Sequence, residues 1–335
     1  MNVLVTGGAG YIGSVVTKQL VERGHMVLVV DNLAHGCRTA IVPDAIFVPM
    51  DLGDREQLDR NFAKYSVEAV VHLAAEIVIS TSLRDPATCF NVNIGEGLVL
   101  LDAAVKHRVA KFIFSSSCAV YGQAQSLCIA EEHPLAPVSP YGDSKLAYER
   151  MLSWYAEAYG LESVSLRYFN AAGASGPLGE DHRPVEPHLI PNVMRVALGR
   201  QPALEIYGDD YPTQDGTAIR DYVHVTDIAA AHVLALEHQG SLPKKAYNLG
   251  NGRGFSVREV IEAARRIAKK DIPTRVCARR PGDPPVLIAD ATAAQRDLGW
   301  QPAHSVLEEI LETAWRWHRS HPDGYGQASP NLARR

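Results

Sequence analysis

The chain has 335 residues, of which 46% are hydrophobic and 21% are charged, and its formal net charge at pH 7 is -5. This composition is ordinary for a folded globular protein and excludes a disordered chain. Lys and Arg are scattered along the sequence without forming a basic cluster, so we predict no nucleic-acid partner.

Short apolar runs alternate with helical patterns through the first half of the chain. The apolar runs predict strands at Val3–Val5, Met26–Val30, Ile46–Val48, Ala69–Leu73 and Lys111–Phe114. The helical patterns include Ile12–Arg23 and Asn93–His107. This alternation predicts an α/β fold in which a parallel sheet carries helices on both faces.

The second half of the chain differs in composition. Glycines and prolines crowd residues 171–191, which predicts long functional loops there. Two capping boxes then predict the starts of late helices, one at Ser256 with Glu259 and one at Ser305 with Glu308.

Several kinds of site are not expected. The five cysteines are odd in number and form no C-x-x-C pair, so we predict reduced thiols. No H-E-x-x-H motif occurs, and His182 and His188 have the wrong spacing for one helical face, so no metal site is predicted. No charged leader opens the chain, and no stretch is expected to reach the roughly 18 apolar residues of a membrane helix. A cytoplasmic location without a membrane partner is the resulting prediction.

Glycines crowd the turn that follows the first strand. Gly8, Gly10 and Gly13 satisfy G-x-G-x-x-G, and Gly7, Gly10 and Gly13 satisfy the wider G-x-x-G-x-x-G. Glycines allow the backbone to approach a pyrophosphate closely, and the following helix presents unpaired amides to it. The position directly after a strand predicts a dinucleotide site.

Asp31 ends the second predicted strand, eighteen residues after Gly13. A carboxylate there accepts hydrogen bonds from the adenosine ribose hydroxyls and repels a 2′-phosphate, which favours NAD over NADP. Arg38 lies nearby and could receive such a phosphate, so NADP stays an alternative. Together these features predict a Rossmann doubly wound parallel sheet.

A Ser, Tyr and Lys group is the candidate catalytic site. Ser139 is a suitable N-cap and Pro140 a suitable first residue of a helix, which places Tyr141 and Lys145 on one face. The polar run Ser115–Ser117 closes a predicted strand, where ligands of such sheets bind. Tyr-x-x-x-Lys is common by chance, so a surface helix and a plain strand end stay an alternative reading.

The chemistry of a tyrosine base sets a requirement on its surroundings. A free phenol has a pKa near 10, so a base that works near pH 7 needs a shift of about three units, roughly 4 kcal/mol. One ammonium about 4 Å away at an effective dielectric near 20 supplies roughly that amount. We therefore expect Lys145 alone to be enough to lower the pKa of Tyr141, with an oxidised nicotinamide adding further positive charge.

Longer stretches of the chain resemble one known family more specifically than either motif does. They are VTGGAGYIGS, DNL, FSSSCAVYG, SPYGDSK, LRYFNAAGA, YGDDYPTQDGTAIRDYVHVTDIA, YNLGNG and RRPGD. Over nearly its whole length the chain is similar to the extended short-chain dehydrogenase/reductase family, and within it to the branch that epimerises UDP-glucose and UDP-galactose at C4.

The resemblance implies a reversible isomerase with tightly bound NAD and a transient 4-keto sugar. Tyr141 would take the proton of the 4-hydroxyl, Ser117 would share that proton or orient the hydroxyl, and Lys145 would bind the nicotinamide ribose. The implied cofactor contacts are Gly7, Gly10, Tyr11, Ile12, Gly13, Asp31, Asn32, Asp51, Leu52, Leu73, Ala74, Ala75, Asn93, Tyr141, Lys145 and Tyr168. The implied substrate contacts are Ser117, Tyr141, Asn170, His188, Leu189, Tyr207, Arg220, Arg280, Asp283 and Leu287.

The physical chemistry of the implied substrate residues agrees with a nucleoside diphosphate. Arg220 and Arg280 can clamp a diphosphate, Tyr207 can stack on uracil, and Asp283 can bind ribose hydroxyls. Two positions depart from the family pattern. Ile77 stands where some relatives carry a lysine, and Leu287 stands between the large tyrosine and the small cysteine of known types.

Four other functions are weighed against this one. A 4,6-dehydratase would need an acid pair where this chain has Cys118 and Ala119, neither of which does that chemistry. Activity as a UDP-N-acetylglucosamine 4-epimerase would depend on the space that Leu287 leaves beside the 2-substituent of the sugar. A uronate-specific or decarboxylating relative would need a cation for the C6 carboxylate, which the loops could supply. A non-catalytic NAD sensor would have no reason to keep Tyr141 and Lys145 at helical spacing.

The predicted organisation has two parts. Residues 1–170 form the Rossmann domain, to which residues near 215–245 return, and residues 171–335 mainly form a smaller α/β lobe that binds the sugar nucleotide. The last twelve or so residues are predicted to be a frayed tail. The family resemblance also implies a homodimer through the helices that hold Asn93–His107 and Tyr141–Tyr159.

Overall fold

The computed structural model describes residues 1–124, 126–182, 186–280 and 282–326. Its strands are β1 (Asn2–Thr6), β2 (Met26–Asp31), β3 (Ile46–Pro49), β4 (Ala69–His72), β5 (Lys111–Ser117), β6 (Glu162–Tyr168), β7 (Asn170–Ala172), β8 (Leu204–Tyr207), β9 (Ile219–His224), β10 (Ala246–Leu249), β11 (Gly254–Ser256), β12 (Thr274–Cys277) and β13 (Val286–Leu287). Its helices are α1 (Tyr11–Glu22), α2 (Arg55–Tyr65), α3 (Ile79–Arg84), α4 (Pro86–Phe90), α5 (Gly97–Lys106), α6 (Pro140–Tyr159), α7 (Leu189–Ala197), α8 (Val225–Glu237), α9 (Val257–Ala268), α10 (Thr292–Leu298) and α11 (Leu307–Ser320).

The central sheet of the described chain is wholly parallel. Its seven strands lie in the order β10-β6-β5-β4-β1-β2-β3. The inner strands are continuous apolar runs without alternation, as expected when helices cover both faces of a sheet. The order reverses between β1 and β4, and the carboxyl ends of neighbouring strands there form the usual ligand crevice of such folds.

Helices cover both faces of this sheet, which confirms the predicted doubly wound architecture. One core layer joins the sheet to α1 and α8 through side chains such as Val15 and Ile228. The other layer joins it to α2, α5 and α6 through side chains such as Phe62, Leu100 and Tyr148. The strands thus hold their carboxyl ends rigidly between two packed layers.

The later part of the chain forms a smaller group of strands and helices beside the central sheet, although β10 from this part belongs to the central sheet. Strand β9 pairs with β7, β11 and β13, and β8 pairs with β12. Helices α7, α9 and α11 share a separate apolar core in which Trp315 is buried. This part of the chain carries most of the residues predicted to bind the sugar nucleotide.

One of the two predicted capping boxes forms. The Ser256 side chain accepts the amide hydrogen of Glu259, whose carboxylate accepts the amide hydrogen of Ser256. The prediction at Ser305 was wrong, because α11 begins later, with Val306 as its N-cap and no capping side chain. The preceding backbone is instead held by Asp227, whose carboxylate accepts two amide hydrogens just before this helix.

Residues Pro86–Lys106 form one continuous helical run through α4, a π-helical turn and α5. It starts earlier than predicted, because Asp85 caps it by accepting the amide hydrogen of Thr88 at 3.1 Å. The expectation that no stretch is long and apolar enough to cross a membrane was wrong for this run, the one in the described chain that meets both criteria. Of its most apolar 18-residue stretch, 44% is buried inside the protein.

The chain end is packed as far as the structure describes it. Tyr325 donates its amide hydrogen to Asp181 Oδ2 at 3.0 Å, and its hydroxyl hydrogen-bonds the backbone of Gly179. The predicted fraying was therefore wrong for residues 323–326, because the tyrosine finds partners on another loop. Residues 327–335, the rest of the predicted tail, lie outside the described residues.

Candidate active site

The glycine turn between β1 and α1 has the shape that the sequence predicts. Gly7 has φ of +70°, and a Cβ there would lie 2.6 Å from the Ala74 nitrogen. A Cβ on Gly13 would lie 2.1 Å from the Gly7 oxygen, so both positions require glycine. Gly10 precedes α1, and the amides of Tyr11 and its successors occupy the first turn, where no intrahelical acceptor exists. The turn therefore fits the pyrophosphate of a dinucleotide.

Asp31 connects the end of β2 to the glycine turn. Its Oδ2 accepts the amide hydrogen of Ala9 at 3.0 Å, and its Oδ1 accepts that of Leu33 at 2.8 Å. Burial raises the pKa of Asp31, although these hydrogen bonds oppose the effect. Asn32 donates to Asp51 Oδ1 at 2.6 Å, so the predicted adenosine contacts lie along one edge of the sheet.

The loop after β4 lies against the glycine turn. Its predicted cofactor residues, Leu73 and Ala74, both donate their amide hydrogens to Thr6 Oγ1 at 3.2 Å. Thr6 Oγ1 also lies 2.7 Å from His72 Nδ1, and burial lowers the pKa of His72 to about 3. Thr6 and His72 were missed at the sequence level, because both read as ordinary strand residues.

Asn93 joins this loop to α6. Its Oδ1 accepts the amide hydrogen of Glu76 at 2.7 Å, and its Nδ2 donates to the Glu76 carbonyl and to Ser144 Oγ. Ser144 in turn donates to the Tyr141 carbonyl at 2.7 Å. Asn93, a predicted cofactor contact, is therefore buried and connects the loop after β4 to α6. Ile77 follows Glu76 directly, on the same loop.

The structure brings together the three residues of the predicted catalytic group. Ser139 caps α6 by accepting the amide hydrogen of Gly142 at 3.2 Å, as predicted. Lys145 Nζ donates to the Ser115 carbonyl at 2.9 Å and lies 5.8 Å from the centre of the Tyr141 ring. Ser117, at the end of β5, hydrogen-bonds the Tyr141 side chain.

The expected lowering of the Tyr141 pKa by Lys145 is not found. Burial raises the pKa of Tyr141 to about 12, and the hydrogen bond with Ser117 only partly opposes this. Burial also lowers the pKa of Lys145 to about 7. Desolvation disfavours both charged forms and outweighs the attraction that the sequence argument considered alone. The prediction of a phenol activated by Lys145 without other help was therefore wrong.

A buried network that the sequence did not predict lies next to the catalytic helix. Arg167 binds the Glu149 carboxylate with two hydrogen bonds of 2.9 and 2.6 Å, and Ser116 donates to the same carboxylate at 2.5 Å. Arg167 also donates to the Tyr121 hydroxyl at 2.9 Å. Arg167 thus balances the charge of a buried carboxylate. Glu149 also lies one turn after Lys145 and acts to raise its pKa, but burial has the larger effect and lowers that pKa overall.

Tyr168 lies opposite Ser117 in the register of β5 and β6. Its hydroxyl hydrogen-bonds Ser115 and lies 3.1 Å from Nε2 of His232, which belongs to α8. Burial raises the pKa of Tyr168 and lowers that of His232 to about 4. The predicted cofactor contact therefore stands at the same carboxyl edge as the catalytic group.

The predicted substrate residues form two pairs in the second part of the chain. Arg220 forms a salt bridge with Asp283, and Leu287 lies beside Arg220 in the register of β9 and β13. Arg280 lies over the Tyr207 ring, with its Cζ 4.0 Å from the ring centre. Asp283 and one face of Tyr207 therefore have protein partners.

The remaining predicted substrate residues are Asn170, in β7, and His188 with Leu189, at the start of α7. Asn170 pairs with Tyr222 of β9, so it lies on the sheet that carries Arg220. His188 Nδ1 lies 2.5 Å from Glu180 Oε1. Burial lowers the pKa of His188, but Glu180 and Glu186 outweigh this effect and raise it overall.

Glu180, His182, Glu186 and His188 lie close together, against the expectation from their spacing. The rings of His182 and His188 have centres 5.0 Å apart. The spacing excludes only a shared helical face, whereas residues 180–182 and 186–188 precede α7 and belong to no helix. The sequence signal that could have found the group is the run of two Glu and two His within nine residues.

Comparison with known proteins agrees with this geometry. Residues 3–250 match the NAD dependent epimerase/dehydratase family. The chain is 47% identical to the UDP-glucose 4-epimerase of Halalkalibacterium halodurans, over 97% of this chain and 98% of that one. A similar solved structure is the crystal structure of UDP-glucose 4-epimerase from Brucella ovis in complex with NAD, with 48% sequence identity and a TM-score of 0.90. The match covers 94% of this chain and 97% of that one.

A further structure is that of UDP-glucose 4-epimerase from Bifidobacterium longum in complex with NAD⁺ and UDP. It is 37% identical, with a TM-score of 0.93, and the match covers 97% of this chain and 100% of that one. The family match spans well over half of the chain and contains the glycine turn, Asp31 and the Ser, Tyr and Lys group. This chain therefore belongs to the NAD dependent epimerase/dehydratase family.

Proposed function

We propose that this chain interconverts UDP-glucose and UDP-galactose by epimerisation at C4, with NAD held tightly through turnover. The observation that carries the proposal is the meeting of Ser117, Tyr141 and Lys145 at the carboxyl edge of a sheet whose first turn fits a pyrophosphate. The names of the similar proteins agree with this activity.

The roles of the chain's own residues follow from their contacts. Tyr141 Oη takes the proton of the sugar 4-hydroxyl and later returns it, and Ser117 orients that hydroxyl through its hydrogen bond to Tyr141. When bound, NAD would supply the hydride acceptor and donor for C4 of the sugar. Lys145 holds the nicotinamide ribose and, in its ammonium form, stabilises the phenolate.

The raised pKa of Tyr141 makes this activation depend on ligands. A phenol with a pKa near 12 is a poor base at neutral pH. An oxidised nicotinamide would supply a positive charge, which would favour the phenolate form of Tyr141.

We propose that the second part of the chain binds the UDP moiety. Arg220 and Arg280 clamp the diphosphate, Tyr207 offers its free ring face to uracil, and Asp283 exchanges its contact with Arg220 for the ribose hydroxyls. In this organisation, residues 1–170 form the cofactor domain. The pairing of β10 with β6 and the packing of α8 on α1 support the predicted return of the chain to that domain.

The alternative dehydratase lacks support. Elimination of the 6-hydroxyl needs an acid and a base beside the strand-end serine, where this chain has Cys118 and Ala119. Burial raises the pKa of the Cys118 thiol to about 11, so it does not serve as an acid or a base at neutral pH. Acceptance of N-acetylated sugars depends instead on Leu287, beside Arg220.

We further propose a cytoplasmic homodimer. Trp154 and Tyr159 are exposed on α6, one of the helices expected at the interface, and Leu83 and Phe90 are exposed on α3 and α4, which pack against α6. Exposed aromatic residues on neighbouring helices are typical of a surface that a second copy covers. Light scattering after gel filtration checks this arrangement, since a monomer at micromolar concentration contradicts it.

The decisive experiment uses purified protein and UDP-galactose with no added nucleotide. UDP-glucose should form, and deuterium placed at C4 should stay on the sugar, because hydride transfer excludes exchange with water. Loss of deuterium to water, or full activity after removal of all bound dinucleotide, would contradict the proposal. A parallel incubation with UDP-N-acetylgalactosamine, for the wild type and Leu287→Tyr, tests the specificity assigned to Leu287.

A further inference from the structure

Four metal-ligating side chains meet in residues 180–188, outside the catalytic group. Glu180, His182, Glu186 and His188 each offer one ligand atom, and these four atoms lie within 4.8 Å of one another. Ligand atoms about 2.1 Å from a tetrahedrally coordinated ion lie about 3.4 Å from one another. Side-chain movements of less than about 1 Å would therefore let all four atoms surround one ion.

The two carboxylates of this group are deeply buried. The side chains of Glu180 and Glu186 are 4% and 1% exposed. Two carboxylates this close need compensating positive charge once water is removed. In the described ranges, the only lysine or arginine paired with either of them is Arg195, 3.9 Å from Glu186 Oε2. The closer neighbours are imidazoles, which are ligands for metal ions when neutral.

We propose that Glu180, His182, Glu186 and His188 form a binding site for a divalent transition-metal ion, with zinc as the best match. Zinc binds histidine nitrogen and carboxylate oxygen in four-coordinate sites. Magnesium and calcium prefer sites made wholly of oxygen, which two imidazoles exclude. The set of two nitrogen and two oxygen donors therefore selects the class of ion.

The position of the group suggests a structural role for the ion. The His182 ring meets the Tyr11 ring edge-on with centres 6.5 Å apart, and Tyr11 begins the helix that follows the glycine turn. His188 stands directly before α7. The ion would thus hold residues 180–182 and 186–188 between the cofactor turn and α7, whose first residues are predicted to contact the substrate. Loss of the ion should loosen these contacts and lower the stability of the fold.

The test uses the full chain with its bound NAD, treated with a chelator and then titrated with zinc chloride. We expect one zinc per chain by elemental analysis, together with a higher Tm. His182→Gln should weaken zinc binding by roughly 10- to 100-fold. His25→Gln is the matched control, because His25 also pairs with a glutamate, 3.0 Å away, but at another place in the fold. Neither measurement depends on turnover of a UDP-sugar, so their outcome is separate from that of the proposed activity.

A second measurement covers the case in which His182→Gln does not fold. Cobalt added to the metal-free wild type should show the strong visible absorption of a four-coordinate site, and Glu186→Gln, which keeps the side-chain shape, should abolish it. Absence of cobalt absorption and of stoichiometric zinc in the wild type overturns the proposal. Equal zinc affinity in the wild type and the folded variants also overturns it, and protonated histidines then balance the buried carboxylates.

Discussion

The guanidinium of Arg280 lies over the ring of Tyr207, with its Cζ 4.0 Å from the ring centre. The neighbouring Arg279 makes the same contact with Tyr211, at 4.2 Å, but also pairs with Asp210. The two arginines are thus alike in sequence and in their aromatic contacts. Only Arg280 belongs to the proposed diphosphate site, which makes Arg279 a matched control.

Arg280→Lys should therefore raise the KM for UDP-galactose. A hydrogen bond to a charged group contributes about 1.5–3 kcal/mol, so its loss corresponds to roughly a 10- to 150-fold change. Lysine keeps the charge but lacks the planar fork that grips a diphosphate. Steady-state kinetics check this. Arg279→Lys should leave KM within about twofold of the wild type, and equal effects of both changes would contradict the proposed site.

Tyr141→Phe tests the catalytic base. The change should lower kcat by roughly 10²- to 10⁴-fold, the usual contribution of a positioned acid–base group, and should leave bound NAD in place. Tyr155→Phe is the control on the same helix, because the Tyr155 hydroxyl binds Asp102 and lies away from Ser117. Activity within a few-fold of the wild type for Tyr141→Phe would exclude this tyrosine as the base.

Asp31→Asn tests the choice of cofactor. We expect weaker retention of NAD, by roughly 10- to 150-fold for a lost hydrogen bond to a charged group, and a new tolerance of NADP. Nucleotide content after desalting measures the first effect, and activity restored by added NADP measures the second. Asp44→Asn removes the same charge from an exposed position and should change neither. Unchanged NAD content in Asp31→Asn would show that the carboxylate does not hold the ribose.

His232 predicts a dependence of stability on pH. Burial lowers its pKa to about 4, whereas an unfolded histidine has a pKa near 6.5. The unfolded chain therefore binds more protons between these values, so this contribution is complete above about pH 6.5 and is lost as pH falls toward 4. The full contribution is about 3 kcal/mol, of which about 2 kcal/mol is lost at about pH 5.

Urea unfolding of the wild type and His232→Gln at both ends of this range measures the effect. The variant should lose about 2 kcal/mol less than the wild type between about pH 7.5 and about pH 5. Tyr168→Phe removes the hydroxyl that contacts His232 Nε2 at 3.1 Å but keeps the titrating ring, so it should retain the pH dependence. Equal slopes for all three proteins would show that His232 does not titrate as described.

The order of strands and helices, the glycine turn, Asp31 and the Ser, Tyr and Lys group could all be predicted from the sequence. Each depends on short-range rules: apolar runs, helical spacing, a cap, the positive φ of Gly7 and the close approach of Gly13 to the Gly7 oxygen. Such rules act between residues close in the chain. They therefore hold before any tertiary contact is known, and the central sheet and the catalytic group agree with them.

Other properties were decided by residues that are distant in sequence. The pKa values of Tyr141 and Lys145 depend on how much water the fold removes from the two side chains. From the sequence, only the electrostatic attraction between them could be considered. The start of α11 follows from contacts with Asp227, about 80 residues earlier.

The buried network of Glu149 and Arg167 and the group of Glu180, His182 and His188 show the same limit. Glu149 and Arg167 come from a helix and a strand, whereas Glu180, His182 and His188 lie within nine residues of the chain. Read individually, all of them would be expected on the surface. Local rules determined which elements form and which motifs they carry. Only tertiary structure decided which charges meet and how far each is desolvated, because electrostatic energies depend on distance and burial in three dimensions.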